Sequence, residues 1–331
     1  EGGVGASAYV TVMKGCDERC SFCVVPYTRG PERYRPARDI VREVRALVDG
    51  GAREVVLLGQ TVNSFIDPES PVDPDRDPDE SQFPALLRRI ADEAPGLDRL
   101  RYTSPHPRHL TASLVRAHAE LPVLADHVHM PVQSGSDRML KRMIRRYTRA
   151  EYVTRVDALR AARPALTLTT DIIVGFPGET AVDFELTLSL VREVGFTALY
   201  GFKYSPRPHT PALRLDDDVR EEEKQARLLA LFEVSEGLTR AHLASMVGAR
   251  VEVLIEGPSR PGASTRVGRT RRNEIVHLPG GAGLDAGAVV VAEVARANKH
   301  SLEGRLDAIK RPAPPRVAQT HRRIALPVVQ A

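Results

Sequence analysis

Three cysteines lie close together near the start of the chain and are its only cysteines: Cys16, Cys20 and Cys23. A closed zinc site takes four ligands, and an odd number of cysteines cannot pair fully into disulfide bonds. Thiolates are the usual ligands of iron–sulfur clusters. Three of them suit a four-iron, four-sulfur cluster in which one iron stays open to hold a reacting molecule. The polar run Asp17-Glu18-Arg19 between the cysteines argues against three thiols that are merely buried together.

The first 215 residues alternate short apolar runs with amphipathic segments. This alternation predicts an α/β fold of about six strand–helix units, with a parallel sheet that forms an open or closed barrel. Strands are expected at 8–13, 54–58, 99–103, 127–132, 166–174 and 198–204, and helices at 37–48, 83–94, 111–120, 137–146, 149–162 and 180–194. Gly59-Gln60, Gln133-Ser134-Gly135 and the loop that starts at Gly175 each follow a predicted strand, as the cysteine loop does. These loops should therefore meet at the carboxyl ends of the strands, where such folds place their chemistry.

The remaining third of the chain has a different pattern of residues. A long helix is predicted at 219–246, followed by short β runs at 250–255, 274–278 and 289–294 that Gly and Pro separate, as in a small antiparallel β-barrel. The predicted units are a core at 1–237, the small barrel at 238–308 and a disordered, Pro-rich tail at 309–331. The acidic, Pro-rich segment 64–82 is expected to be a mobile surface insertion.

Charge and hydropathy limit the function classes. The 331 residues carry a formal net charge of +4, and no apolar stretch is long enough to span a membrane. The start of the chain lacks the basic end and apolar run of a signal peptide, and it lacks Met, so we expect further residues upstream. Reduced, clustered cysteines without an export signal favour the cytoplasm.

Positive charge is concentrated in segment 258–273, which has no acid before Glu274. Its arginines are Arg260, Arg266, Arg269, Arg271 and Arg272. This predicts an acidic partner, with nucleic acid as the leading candidate, although a solvated basic surface gives the same pattern.

The motif Cys16-x₃-Cys20-x₂-Cys23 after an N-terminal strand resembles that of the radical S-adenosylmethionine (SAM) superfamily. The resemblance implies a partial (β/α)6 barrel. It also implies a [4Fe-4S] cluster whose open iron chelates SAM, and reductive cleavage of SAM to a 5′-deoxyadenosyl radical. Phe22, which precedes the third cysteine, is then expected to lie against the adenine of SAM.

Further segments resemble the methylthiotransferases, and most of all the MiaB-type tRNA methylthiotransferases. These segments are 24–30, 57–63, 104–107, 130–136, 143–147, 171–180 and 204–207. The resemblance runs from Ala8 to about Leu306, and its C-terminal part is similar to a TRAM domain, a small RNA-binding barrel. It implies methylthiolation at carbon 2 of N6-isopentenyladenosine beside the tRNA anticodon.

The same resemblance suggests which residues bind the cofactor. Gly59 and Gly175 permit a close backbone approach to SAM. Neutral hydrogen-bonding groups for its ribose hydroxyls and ammonium come from Gln60, Asn63, Gln133 and Ser134. Arg145 is expected to pair with the methionine carboxylate. Taken singly, Gln133 or Arg145 fits a structural role equally well.

The predicted partner is the anticodon stem-loop of tRNA. The C-terminal segment contains no aromatic residue after Phe232, so it cannot bind bases by stacking. It is instead expected to grip phosphates through Arg266, Arg269, Arg271 and Arg272, leaving base recognition to the larger barrel. We also expect an electron donor such as flavodoxin or ferredoxin, and we expect the protein to be a monomer.

One feature departs from the methylthiotransferase pattern. That family has an N-terminal domain with three further cysteines for a second, sulfur-supplying cluster, whereas this chain contains only the triplet. We therefore expect one cluster here, a second in the full-length protein, and no complete methylthiolation by this chain alone. The alternatives are a sister enzyme acting on threonylcarbamoyladenosine or a ribosomal-protein aspartate, and an RNA-binding module with a structural cluster.

Overall fold

The computed structural model describes residues 5–71, 80–260 and 263–315. Its larger unit is an open barrel of parallel strands with helices outside. The strands and short strand pairs are β1 (Ser7–Thr11), β2 (Met13–Lys14), β3 (Arg33–Tyr34), β4 (Glu54–Leu58), β5 (Arg99–Tyr102), β6 (His127–His129), β7 (Thr167–Val174) and β8 (Ala198–Lys203). The helices are α1 (Val25–Arg29), α2 (Ala37–Asp49), α3 (Phe83–Glu93), α4 (Ala112–Glu120), α5 (Asp137–Arg142), α6 (Arg149–Ala162), α7 (Ala181–Val194) and α8 (Glu221–Ser245), and three 3-10 turns lie at Val62–Ser64, Pro107–His109 and Pro211–Arg214.

The parallel strands form two sheets, ordered β1-β4-β5 and β6-β7-β8. A parallel bridge between Leu100 and Leu124 joins them, and β1 and β8 form the two edges. The main hydrophobic core lies between the outer faces of these strands and the surrounding helices. This architecture confirms the predicted partial barrel.

Most element boundaries fall close to the prediction because local signals fix them. Helix α6 matches its predicted range and starts with a capping box between Thr148 and Glu151. Helix α5 is shorter than predicted: it ends at Arg142 because Ile144 and Arg146 have φ angles of 57° and 56°, which a helix cannot continue through.

Helix α8 leads to a closed five-stranded barrel. Its strands are β9 (Arg250–Pro258), β10 (Arg266–Thr270), β11 (Ile275–Leu278), β12 (Val289–Ala297) and β13 (Leu302–Arg311), arranged in the order β10-β11-β13-β12-β9. The pairing of β11 with β13 is parallel, and the other pairings are antiparallel. The predicted boundary at 237/238 falls within α8.

Two strands of the small barrel were missed by the sequence prediction. In both, charged side chains interrupt the apolar pattern: β10 reads RVGRT and β13 reads LEGRLDAIKR. The end of β13, Ile309 to Arg311, was assigned to the disordered tail, and this part of the prediction is wrong. The rest of the predicted tail from residue 316, and positions 72–79 of the predicted insertion, lie outside the described residues.

The small barrel is attached to the amino-terminal ends of the parallel strands. Arg99 donates to the carbonyl of Arg269 at 2.7 Å, and Arg101 donates to the carbonyl of Thr270 at 3.0 Å. The backbone N–H of Asp126, just before β6, donates to the carbonyl of Arg271 at 3.0 Å. The β10–β11 turn therefore closes the end of the open barrel that lies opposite the cysteine loop. Across 5–71, 80–260 and 263–315, no helix is both long and apolar enough for a membrane span.

Candidate functional site

The cysteine loop lies at the carboxyl end of β1 and is held by its own backbone. The N–H of Gly15 donates to Gln60 Oε1 at 2.8 Å, and the N–H of Cys16 donates to the carbonyl of Gly30 at 3.2 Å. Gly15 has a φ of +82°, and a Cβ atom there would come within 2.0 Å of the Pro31 carbonyl oxygen. Only glycine fits at this position, directly before the first cysteine.

The second half of the loop is attached to the segment after α5. The Ser21 N–H donates to the carbonyl of Met143 at 3.0 Å, and its hydroxyl donates to the carbonyl of Arg142 at 2.8 Å. The Cys23 N–H donates to the carbonyl of Cys20 at 3.1 Å, which makes a tight turn between these two thiols. The loop is thus fixed at both ends before any ligand binds.

All three cysteines are free thiols, with Cys16 and Cys20 buried and Cys23 partly buried. Cys16 Sγ lies 3.1 Å from Thr61 Oγ1, and Arg145 Nη1 donates to Cys20 Sγ at 3.3 Å. Burial raises the pKa of Cys16 to about 11 and also raises the pKa of Cys23. These thiols therefore need a metal or another positive charge to become thiolates near neutral pH.

Arg145 supplies such a charge beside Cys20. Burial alone lowers its pKa, but the neighbouring Tyr147 hydroxyl and Cys20 thiol outweigh this effect and raise it above the ordinary value. Its other donors bind Tyr147 Oη at 3.0 Å and the Pro131 carbonyl at 2.8 Å. Each of its three nitrogens thus already donates one hydrogen bond within the protein, and its pairing with a methionine carboxylate stays a prediction.

The donor set fits an iron–sulfur cluster better than a single ion. In the described part of the chain, no three His, Cys, Asp or Glu side chains are arranged around one metal ion. A cluster instead takes one thiolate on each iron, so its cysteines need to surround a common space rather than meet at a point. Three free thiols on one anchored loop, with Arg145 beside the middle one, supply the kind of donor that such a cluster takes.

Two of the predicted cofactor residues, Asn63 and Ser134, have fully buried side chains that bind other parts of the protein. Asn63 Nδ2 donates to the His106 carbonyl at 3.0 Å, and Asn63 Oδ1 accepts from the His106 N–H at 2.7 Å. Ser134 lies 3.3 Å from the Thr187 hydroxyl and accepts from the Ser136 N–H at 3.2 Å. Both side chains hold loops in position, and a role for them in binding the cofactor stays a prediction.

The two predicted glycines are explained by packing. At Gly59 a Cβ atom would come within 2.7 Å of the Met13 side chain, and at Gly175 it would come within 2.3 Å of the Lys224 stem. Gly175 also has a φ of +66°, and its N–H donates to Glu179 Oε2 at 2.6 Å. The side-chain oxygen of Gln60 accepts the hydrogen bond from the Gly15 N–H. These contacts shape the loops around the cysteines.

Two predicted cofactor residues keep positions that suit ligand contact. Phe22 packs against a satellite cluster beside the cysteine loop, formed by Met139, Met143, Phe176, Tyr204 and Ala212. Gln133 has a φ of +75°, and its backbone bonds to β7 through Asp171 and Ile173. No hydrogen bond within the described residues uses the Gln133 side chain, which leaves its amide for a ligand.

The predicted RNA-binding arginines do not form one free patch. Arg271 donates to Asp126 Oδ2 at 3.2 Å and to the carbonyl of Leu124 at 2.8 Å, so it joins the two barrels. Arg269 lies 3.1 Å from Glu256 Oε1. The turn that carries Arg271 lies at the amino-terminal ends of the parallel strands, about 25 Å along the eight residues of β7 from the end that carries the cysteine loop. A run of basic residues in a sequence predicts positive charge. It does not show which of those side chains already contact other parts of the protein.

Sequence reasoning missed a polar and aromatic surface inside the open barrel. It contains His129 on β6, Asp171 on β7, and Tyr200 and Phe202 on β8. His129 Nε2 lies 3.3 Å from Asp171 Oδ1, and the rings of His129 and Tyr200 are 5.8 Å apart. The alternation of Tyr200 and Phe202 around Gly201 was the available signal, since alternate residues of a strand share a face.

Comparisons with known proteins agree with this geometry. The sequence signature of the radical SAM superfamily matches residues 10–191, and that of the TRAM domain matches residues 244–306. A tRNA-2-methylthio-N(6)-dimethylallyladenosine synthase from Sorangium cellulosum strain So ce56 is 62% identical over 98% of this chain and 69% of its own length. One of the same name from Acidithiobacillus ferrooxidans strain ATCC 53993 is 47% identical over 91% of this chain and 65% of its own length.

Solved structures share the fold at low sequence identity. The radical S-adenosylmethionine methyltransferase TsrM from Kitasatospora setae, with cobalamin and a [4Fe-4S] cluster bound, superimposes with a TM-score of 0.51 at 19% identity. The match covers 63% of this chain and 36% of that one.

Proposed function

The chain belongs to the radical SAM superfamily and to the family of tRNA-2-methylthio-N6-dimethylallyladenosine synthases, and on this premise we propose that it acts on N6-isopentenyladenosine at tRNA position 37. The proposed reaction is methylthiolation at carbon 2 of the adenine. The chain spans 69% and 65% of the lengths of the two relatives, so the complete activity belongs to the proposal.

The observation that carries the proposal is the anchored loop of three free thiols at the carboxyl end of the parallel barrel. The family uses a [4Fe-4S] cluster and SAM, and Cys16, Cys20 and Cys23 are the residues that would hold the cluster. When bound, the cluster supplies the electron that cleaves SAM. Arg145 keeps a positive charge beside Cys20, the middle thiol of the loop.

The remaining residues of the site position the cofactor and the substrate. Phe22 and Gln133 are the side chains we assign to SAM contact. Gly59, Gln60 and Gly175 set the shape of the loops around it, and Asn63 and Ser134 lock the neighbouring loops from within the core. The first group of residues would therefore contact the cofactor, and the second group would support the site.

The partner proposed for the small barrel is the anticodon stem-loop of tRNA. Arg266, Arg269 and Arg272 are the phosphate-binding candidates, because Arg271 is already used between the barrels. We also propose an electron donor such as flavodoxin or ferredoxin, a monomeric state and a cytoplasmic location. A second cluster is expected in the full-length protein.

Deleting the gene that encodes this chain should remove 2-methylthio-N6-isopentenyladenosine from cellular tRNA and leave N6-isopentenyladenosine in its place. Mass analysis of tRNA nucleosides from the deletion strain and from the complemented strain measures both. A complementing copy with Cys16, Cys20 and Cys23 all replaced by alanine is the matched control and should not restore the modification.

Persistence of the methylthio nucleoside in the deletion strain would overturn the proposal. Loss of a methylthio group from threonylcarbamoyladenosine, or from a ribosomal-protein aspartate, would instead assign the chain to a sister enzyme. The same cell extracts report all three modifications.

A further inference from the structure

A large cavity lies inside the open barrel, above the turn that closes its end. It consists of two adjoining volumes of about 690 and 570 Å³. Both are lined by Thr103, His127, His129 and Tyr200 from the parallel strands, and by Arg269 and Asn273 from the small barrel. Cavities of this size hold small organic molecules, and this one receives residues from both units of the chain.

Aromatic side chains stand exposed on the two edge strands, and two of them, Tyr9 and Tyr200, line this cavity. Tyr9 on β1 is 66% exposed, and Tyr200 and Phe202 on β8 are 58% and 52% exposed. The register pairs Asp171 with Tyr200 and Ile173 with Phe202, so these four side chains share the inner face of the barrel. Exposed aromatic rings gathered on one concave surface indicate a binding site rather than scattered surface residues.

A chain of hydrogen bonds runs across the same face. The Thr169 hydroxyl lies 3.0 Å from His127 Nε2 and 2.9 Å from His129 Nδ1, and His129 Nε2 lies 3.3 Å from Asp171 Oδ1. Burial lowers the pKa of His127 to about 3, so this ring is neutral at physiological pH. Within the described residues, Asp171 Oδ2 makes no hydrogen bond, and it remains as an acceptor at the edge of the aromatic surface.

We propose that this inner face binds the target base itself, with the purine stacked on Tyr200 and its edge held by the His129–Asp171 pair. This inference deepens the proposed function and rests on it. Adenine that carries one substituent on N6 keeps a single N6–H, which Asp171 Oδ2 can accept. Phe202 and Tyr9 provide apolar surface on the same inner face for the hydrocarbon substituent, and Arg269 and Arg272 line the cavity and supply positive charge for the phosphates of the loop.

RNA is the occupant that this combination favours. Stacking of bases on aromatic rings beside basic side chains is how single-stranded nucleic acid is bound, and a loop base leaves its stack at little cost. A protein segment would instead need an apolar groove, whereas this face carries the hydrogen-bonded side chains of Thr169, His129 and Asp171. The experiment below separates the two occupants.

The test compares anticodon stem-loop RNA that carries isopentenyladenosine with the same RNA carrying an abasic site at that position. Affinities are measured by fluorescence anisotropy with the cluster-loaded chain. Tyr200→Ala should weaken binding of the base-containing RNA by roughly 5- to 100-fold, the effect of removing one stacking ring. It should leave binding of the abasic RNA unchanged. Tyr200→Phe should retain the affinity, and Leu229→Ala, an exposed position on α8, is the matched control.

Asp171→Asn tests the polar edge. Its amide oxygen can still accept from His129, which turns the amide nitrogen, a donor, toward N6–H. We therefore expect about a tenfold loss for isopentenyladenosine RNA and no change for abasic RNA.

The possible outcomes distinguish the base-binding surface from the proposed function. Equal loss for both RNAs, or no loss in Tyr200→Ala, would overturn the base-binding surface while leaving the proposed function intact. Failure of the wild-type chain to bind either RNA would overturn both. Loss confined to the base-containing RNA supports the inference.

Discussion

Replacing Cys20 by alanine should abolish both cluster binding and SAM cleavage. Cys20 is the middle thiol of the loop, and its Sγ accepts the hydrogen bond from Arg145. Because loss of a residue that merely supports a metal ligand already costs about 10- to 100-fold in affinity or activity, loss of the ligand itself should cost more. Iron analysis after reconstitution and chromatographic measurement of 5′-deoxyadenosine from reduced protein and SAM give the two values.

The matched control for this change is Arg19→Ala, an exposed residue on the same loop. Wild type and the control should each bind about four irons per chain, as one four-iron cluster requires. About eight irons in the wild type would contradict the assignment of a single cluster. If Cys20→Ala kept its SAM cleavage, the three cysteines would not be the ligands. If the wild type held iron but never cleaved SAM, the cluster would be structural.

Replacing Arg101 by methionine should destabilise the chain by about 3–5 kcal/mol, the usual cost of removing one partner of a buried ion pair. Arg101 Nε lies 2.6 Å from Glu54 Oε2, and both side chains are more than nine-tenths buried. Its Nη2 also donates to the carbonyls of Thr270 and Arg271 in the turn of the small barrel. The substitution therefore leaves a buried carboxylate without its positively charged partner and removes contacts between the two barrels.

Chemical denaturation followed by circular dichroism measures this loss, and calorimetry should show that the small barrel unfolds before the core. Arg250→Met is the matched control, since its partner Asp307 and the arginine itself are largely exposed. It should cost less than about 1 kcal/mol. Equal effects for the two variants would mean that the contact between the barrels contributes little to stability.

The parallel core was predictable because its signals are local. Strand β4 is a continuous apolar run, and the capping box of Thr148 and Glu151 marks where α6 begins. The cysteine triplet could be interpreted as a cluster site for the same reason, since all three cysteines lie within eight residues of one another. Neither inference required knowledge of a distant contact.

The roles of polar residues were harder to predict because they depend on long-range partners. Asn63 was expected to contact a cofactor, but its partner is the backbone of His106, 43 residues away. Arg271 was expected to bind phosphate, but its partner Asp126 lies 145 residues away. Composition identifies such side chains as polar, whereas only the fold determines whether they meet a ligand or another part of the chain.

The central claim is that the cysteine loop and the barrel interior act together on carbon 2 of a tRNA adenine. The most direct test uses anticodon stem-loop RNA with deuterium at that carbon, incubated with SAM and the reduced, cluster-loaded chain. Mass spectrometry of the 5′-deoxyadenosine then shows which hydrogen it received. We predict that deuterium appears in 5′-deoxyadenosine. 5′-Deoxyadenosine that contains no deuterium, formed while the RNA is fully bound, would contradict the account.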